Sequence, residues 1–296
     1  MAPMNDQPTM EITSPGGRGV AADVSGPEGG AAVVLFHSAP GSRRFDPDPA
    51  ATAAAGVRLV TIDRAGYGRS EPFAGGMPSI PAYANDAAAV LDQLGIGEAV
   101  LAGWSAGGRI AAALAARRPA LARALLVIAT PAPDEEVPWL PDEQRPAIQT
   151  MREDPVAAVT QMVGLLEGTD PASVLATLRA ARADAAALED PGFRERVEVM
   201  LSEAFVQGTV GLASDIVSFT VAPWGFDLAA SQAPTTCVYG EADEPVPPAH
   251  GAWWTGQIPD SELESVPGAG HLVIRQAWPL VLAAATGSPA EPGRTG

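Results

Sequence analysis

The stretch Gly103-Trp104-Ser105-Ala106-Gly107-Gly108 fits G-x-S-x-G with one further glycine. A serine on a sharp strand-to-helix turn exposes its hydroxyl at the top of a sheet, and only small neighbours tolerate that turn. An apolar run at 99–102 precedes it here, and an Ala-rich helical run at 106–117 follows. Ser105 is therefore a candidate nucleophile, and acyl transfer is the chemistry it suggests. A hydroxyl is a weak nucleophile at neutral pH. It needs a base, and the base needs an orienting carboxylate.

Three histidines are available: His37, His250 and His271. His271 follows Val266-Pro267-Gly268-Ala269-Gly270, a glycine-containing loop that can present a side chain over a sheet edge. His250 falls in a predicted helix after Pro247-Pro248 and reads as a solvated surface residue. His37 ends a predicted buried strand and reads as structural, bonded to nearby backbone. The acid is expected in the order Ser…Asp/Glu…His. Gly240-Glu241-Ala242-Asp243-Glu244 follows a predicted strand, and Asp243 is the chosen acid. Glu241 and Glu244 read as solvated loop charges, and Asp134 is a substitute.

The elements that must position these groups alternate. Ala31-Ala32-Val33-Val34-Leu35-Phe36, Val57-Arg58-Leu59-Val60-Thr61-Ile62, Ala99-Val100-Leu101 and Leu125-Leu126-Val127-Ile128 are apolar runs of strand length. Such runs read as buried parallel strands. Before them, a Gly16-Gly17 turn joins two further strands. Helical patterns lie at 83–94 and after Ser105, with Pro119 just past the second. Strands alternating with helices predict a doubly wound, mostly parallel α/β sheet. From Asp134 to about Val221 the pattern is helical only, broken by Pro155, Gly168, Pro171, Pro191, Gly192 and Gly208. Strands return at 235–239 and 262–266, a last helix is expected at 272–285, and a Pro/Gly-rich tail follows. The acidic residues scattered over the helical stretch read as solvated faces.

The 296 residues carry a net charge of −17, and all cationic side chains are arginines. Such a surface disfavours nucleic acid and anionic membranes as partners. The single Cys237 excludes an internal disulfide. No signal peptide is visible in the first nine residues, and arginines, Arg109 among them, interrupt the most apolar stretch, so a soluble cytoplasmic protein is expected. Gly66-Tyr67-Gly68 follows a strand like a dinucleotide-binding loop, but Glu71 stands where the third glycine belongs. No Cys/His cluster has metal-ligand spacing. Neither a cofactor nor a metal is expected.

Together these features resemble the α/β-hydrolase fold superfamily in its capped branch. His37-Ser38-Ala39-Pro40-Gly41-Ser42 resembles its H-G-x-P-G oxyanion loop, with Ser38 in place of glycine. Asp63-Arg64-Ala65-Gly66-Tyr67-Gly68-Arg69-Ser70 resembles its D-R-x-G-x-G-x-S loop, where Arg64 and Arg69 read as loop ion-pair formers. Trp224-Gly225-Phe226-Asp227-Leu228 resembles a segment of some bacterial members with a helical cap. The resemblance implies a core of residues 1–132 and 226–296 and a cap of 133–225. It assigns attack to Ser105, proton transfer to His271 and tautomer control to Asp243. The backbone N–H groups of Ala39 and Ala106 become the oxyanion donors. The implied activity is hydrolysis of a small or medium, apolar carboxylic ester through an acyl-enzyme. Aminopeptidase or C–C bond hydrolase chemistry uses the same triad, and a non-catalytic binding protein can share the fold. A serine at 105 argues against epoxide hydrolase or haloalkane dehalogenase chemistry, for which the family uses aspartate.

Overall fold

Eight strands form a single sheet in the computed structural model, which describes residues 9–75, 78–154 and 157–287. They are β1 (Met10–Thr13), β2 (Gly19–Ser25), β3 (Ala32–Phe36), β4 (Arg58–Ile62), β5 (Ala99–Trp104), β6 (Ala122–Ile128), β7 (Thr235–Gly240) and β8 (Ser261–Val266). Their order is β1-β2-β4-β3-β5-β6-β7-β8. β2 pairs antiparallel with β1 and β4, and every other pairing is parallel. The readings of the first eight residues, of Pro155 and of the tail after Gly287 lie outside the described residues.

The apolar runs are continuous because both faces of the sheet are covered. Successive side chains alternate between faces. Val34, Phe36, Leu101, Val127 and Tyr239 point into one core cluster, which α2 (Ile80–Gln93) and α3 (Ala106–Arg117) cover. Val33, Leu35, Val100, Trp104, Leu126 and Val238 point into the other, under α11 (Ile274–Thr286). A further helix, α1 (Pro49–Ala55), was not expected from the hydrophobic pattern. It begins on Asp48-Pro49, with the Asp48 carboxylate accepting from Ala50 N and Ala51 N.

Between β6 and β7 the described residues contain helices and no strand. The longer ones are α4 (Arg145–Glu153), α5 (Ala158–Leu165), α6 (Pro171–Ala180), α7 (Arg182–Ala187), α8 (Pro191–Ala204) and α9 (Val210–Thr220). Pro171 and Pro191 start helices here instead of only interrupting them. Proline fits the first helical position, where its missing N–H costs nothing. Asp170 and Asp190 precede them as N-caps, accepting from Ser173 N and from Gly192 N and Phe193 N. α10 (Pro248–Gln257) lies between β7 and β8, and the last helix, α11, is preceded by a single turn over His271–Val273. Among the described residues no helix is long and apolar enough to cross a membrane.

Strand order decides where a site can form. From β3 the chain passes to β4 on one side, and β5 then lies on the other. The crevice at the carboxyl ends of β3 and β5 is thus a topological switch point, where open α/β sheets bind ligands. β3 ends in His37-Ser38-Ala39, and β5 ends at Ser105.

Candidate active site

Ser105 sits at φ 54° and ψ −122° between β5 and α3. That conformation is costly for a residue with a Cβ, on the order of 1–3 kcal/mol, and persists only when its surroundings enforce it. They do so here through close packing. A Cβ on Gly103 would collide with the backbone of Gly107, and one on Gly107 would collide with the Phe36 carbonyl of β3. Ser105 N also donates to Ile128 O at 2.7 Å. Every residue of α3 except Arg117 is buried, so the start of the helix is fixed against the sheet.

Adjacent parallel strands β7 and β8 deliver the other two groups. Gly240 pairs with Val266 at their ends, and Ala242 N donates to Ala269 O across the two loops. Asp243 is 2% exposed, and its Oδ1 accepts from Val246 N at 3.0 Å. Its Oδ2 lies 2.8 Å from Nδ1 of His271, whose Nε2 lies 3.0 Å from Ser105 Oγ. An ionised carboxylate only accepts, so the imidazole proton belongs on Nδ1. Nε2 is then free to accept the serine proton. Burial pulls the His271 imidazole down. The hydrogen bond and charge of Asp243, with the charge of Asp184, outweigh it and hold His271 above the ordinary histidine value. Trp104 packs beneath the turn, 2% exposed, and its Nε1 donates to His271 O at 2.9 Å.

The amide of Ala106 opens α3, where the helix dipole favours negative charge. Ala39 stands on the loop after β3. Neither amide donates to a partner among the described residues. The Ser38 hydroxyl donates to Pro40 O at 2.8 Å within its own loop. Ser105, His271 and Asp243 are joined by hydrogen bonds, and Ala106 and Ala39 follow β5 and β3, which are neighbours in the sheet. Asp134 is elsewhere, accepting from Trp139 N and Leu140 N and pairing with Arg145. Glu241 and Glu244 are exposed.

The remaining histidines divide. His37 is structural, as expected: Nδ1 donates to Ser38 O at 2.7 Å, and burial followed by the Arg64 charge keeps the ring neutral. His250 corrects the sequence reading. It is wholly buried, and its Nδ1 accepts from Ala132 N at 3.0 Å. Burial, reinforced by the Arg109 charge, lowers it to about 4. The glycine of α10 at 251 packs on Tyr239 and Leu263, which draws this turn of the helix inward and carries His250 with it.

Two buried carboxylates, Asp215 and Asp184, escaped the sequence reading, and Arg64 forms an ion pair as expected but with one of them. Arg64 donates to the carbonyls of His37 at 2.6 Å and Ser38 at 2.8 Å, and pairs with Asp215 of α9 at 2.5 Å. Tyr67 donates to the same carboxylate at 2.8 Å. The partner of Arg64 thus lies outside its own loop, as does that of Arg69, which reaches Glu11 of β1 at 3.9 Å. Asp215 and Asp184 are buried, contrary to the expectation that acids of the helical stretch are solvated. Asp215 had a visible signal, as the one charge in the apolar run Val210–Thr220. Asp184, in an alanine-rich stretch, had none.

Comparison with known proteins agrees with this architecture. Residues 31–276 match the alpha/beta hydrolase fold family. The chain belongs to that family. It is 29% identical over 254 residues to a 2-hydroxy-6-oxononadienedioate/2-hydroxy-6-oxononatrienedioate hydrolase of Burkholderia vietnamiensis, covering 82% of this chain and 81% of the relative. A Cupriavidus pinatubonensis protein of the same name is 26% identical over equal shares. Among solved structures, a thermophilic esterase from Thermogutta terrifontis superposes with a TM-score of 0.68 at 24% identity, over 94% of this chain and 96% of the other. The enol-lactonase from Burkholderia xenovorans LB400 gives 0.66 at 20% identity, over 92% and 96%.

Proposed function

We propose that the protein is a serine hydrolase that cleaves a small or medium, apolar carboxylic ester through an acyl-enzyme. The observation that carries this reading is the unbroken Ser105–His271–Asp243 hydrogen-bond chain at the switch point, with links of 3.0 and 2.8 Å. Ser105 Oγ attacks the acyl carbon as its proton passes to Nε2 of His271. Asp243 stabilises the imidazolium without taking the proton. The amides of Ala39 and Ala106 donate to the oxyanion, and such donors are worth about 3 kcal/mol each in related settings. His271 returns the proton to the departing alcohol. It then takes one from a water that attacks the acyl-enzyme and passes it to Ser105 Oγ as the acyl–oxygen bond breaks, which releases the acid. Residues 133–225 act as a cap over a core of 1–132 and 226–296. The buried, free Cys237 suits a reducing, cytoplasmic setting.

A second reading is hydrolysis of a C–C bond in a dienedioate, favoured by the names of the curated relatives. The net charge of −17 weighs against it, because long-range repulsion slows the approach of a dianion. Turnover of p-nitrophenyl esters, aminoacyl amides and a 2-hydroxy-6-oxo-dienedioate by the wild type separates these readings. Esters are expected to be the best substrates. Ser105→Ala should lower kcat by at least ~10⁴-fold, and Asp243→Asn by about 10⁴-fold through the wrong histidine tautomer. Unchanged turnover in either variant would remove that residue from the mechanism.

A further inference from the structure

The helical segment sends one carboxylate to the base itself. Asp184 lies on α7, is 3% exposed, and forms no ion pair with an arginine among the described residues. Its Oδ1 accepts from Leu272 N at 2.8 Å, the residue after His271. The contact leaves no room for a side chain at Gly270, where a Cβ would meet the same carboxylate oxygen at 2.5 Å. Asp184 thus caps, from a distant part of the chain, the turn His271–Val273 that begins the last helix. That turn has no N-cap side chain of its own. A carboxylate is the group a helix N-terminus favours.

We propose that Asp184 is a positioning residue for the base: it fixes the His271 turn by its hydrogen bond and adds a negative charge behind the imidazole. This inference rests on the serine-hydrolase reading for its catalytic meaning. The charged groups facing His271 are Asp243 from the loop after β7 and Asp184 from α7. On the helix that follows His271, Arg275 is occupied by Asp190 at the start of α8. Asp243 orients the ring directly. Asp184 acts on the backbone that carries it and on the energy of the imidazolium. The charge effect has a defined sign, since a nearby anion favours the protonated ring.

The two parts of the role separate by substitution. Asp184→Asn keeps an oxygen for Leu272 N–H and removes the charge. Asp184→Ala removes both. The Ala variant should lose about 10- to 100-fold in kcat with KM little changed, the size expected for a misplaced catalytic group. The Asn variant should retain most of kcat while the acid limb of kcat/KM moves to lower pH. Imidazole NMR reads the same shift without turnover. The chain has three histidines, and burial keeps His37 and His250 neutral well below the ordinary range. His271 is then the ring held above the ordinary histidine value, apart from the other two. If the wild type cleaves none of the esters, amides or dienedioates, the hydrolase reading fails, but the NMR titration still decides the role of Asp184. The expected result is a lower His271 midpoint in folded Asp184→Asn than in wild type; superimposable titrations would overturn the proposal.

Discussion

Two buried arginines stand where the helical segment meets the sheet, and they are held in opposite ways. Arg64 is compensated by charge. Asp215 of α9 meets its guanidinium at 2.5 Å, and the carbonyls of His37 and Ser38 take its other protons. Arg109, one helical turn after Ser105, has no carboxylate partner among the described residues. It donates to Pro131 O at 2.8 and 3.2 Å and to Ala132 O at 3.4 Å. Its guanidinium lies over the rings of Phe219, Trp224 and Trp139 at 4.7, 5.4 and 5.4 Å. Burial pulls it down to about 9, still cationic at neutral pH. Both arginines bridge core and segment, but only Arg64 depends on a single opposite charge from across the junction. Arg43 is also held by charge but shares three carboxylates, Asp23 and Asp63 in the core and Glu203 of α8 at 2.6 Å. The junction is thus ionic beside the loop that carries Ala39, and aromatic where the chain enters and leaves the helical segment.

The contrast predicts unequal sensitivity. Asp215→Ala should cost about 3–5 kcal/mol in denaturant unfolding, because it strands a buried cation. It should also lower kcat, since Arg64 holds the carbonyls next to Ala39. Replacing both partners, as in Arg64→Met with Asp215→Leu, should recover part of that stability without recovering activity. A double variant no more stable than Asp215→Ala would refute the ionic account. At the aromatic junction, Arg109→Met should cost only about 1–2 kcal/mol, since the aliphatic chain keeps its packing against the rings and the cation–π contacts are modest. A loss as large as that of Asp215→Ala would show the two arginines to be equivalent.

A pH dependence is also expected near Arg109. His250 is held at about 4 in the folded chain, against 6.5 when unfolded. The unfolded state therefore binds more protons between these values. Stability from this site is full above pH 6.5 and is lost as pH falls through about 4. Urea midpoints measured across that window should fall with acidification, and His250→Gln should flatten the slope. An unchanged slope would place the acid sensitivity elsewhere.

Much of the core was legible because burial on both faces turns β3 to β7 into continuous apolar runs. The turn at Ser105 was legible for a related reason: small residues surround it, so the steric demand is written into residue type. Asp243 and His271 followed from chain order and the loops after two strands. The helical segment was harder. Its faces alternate between exposed and half-buried positions, so periodicity is weak. Prolines also read as breaks although Asp170-Pro171 and Asp190-Pro191 are helix starts. The same Asp-Pro signature at Asp48-Pro49 marked α1. The partners of Arg64, Asp184 and His250 could not be read at all. They lie 151, 88 and 118 residues away in sequence, and a buried ionisable group looks like a solvated one until its environment is known.

The central claim is that Ser105 is a nucleophile activated by His271 and Asp243. Its most direct test is intact-mass spectrometry after exposure to a fluorophosphonate, followed by peptide mapping. One adduct per chain is predicted, carried by the peptide containing Ser105 and absent in Ser105→Ala. A folded wild-type protein that acquires no adduct, or an adduct that persists in Ser105→Ala, would contradict the account.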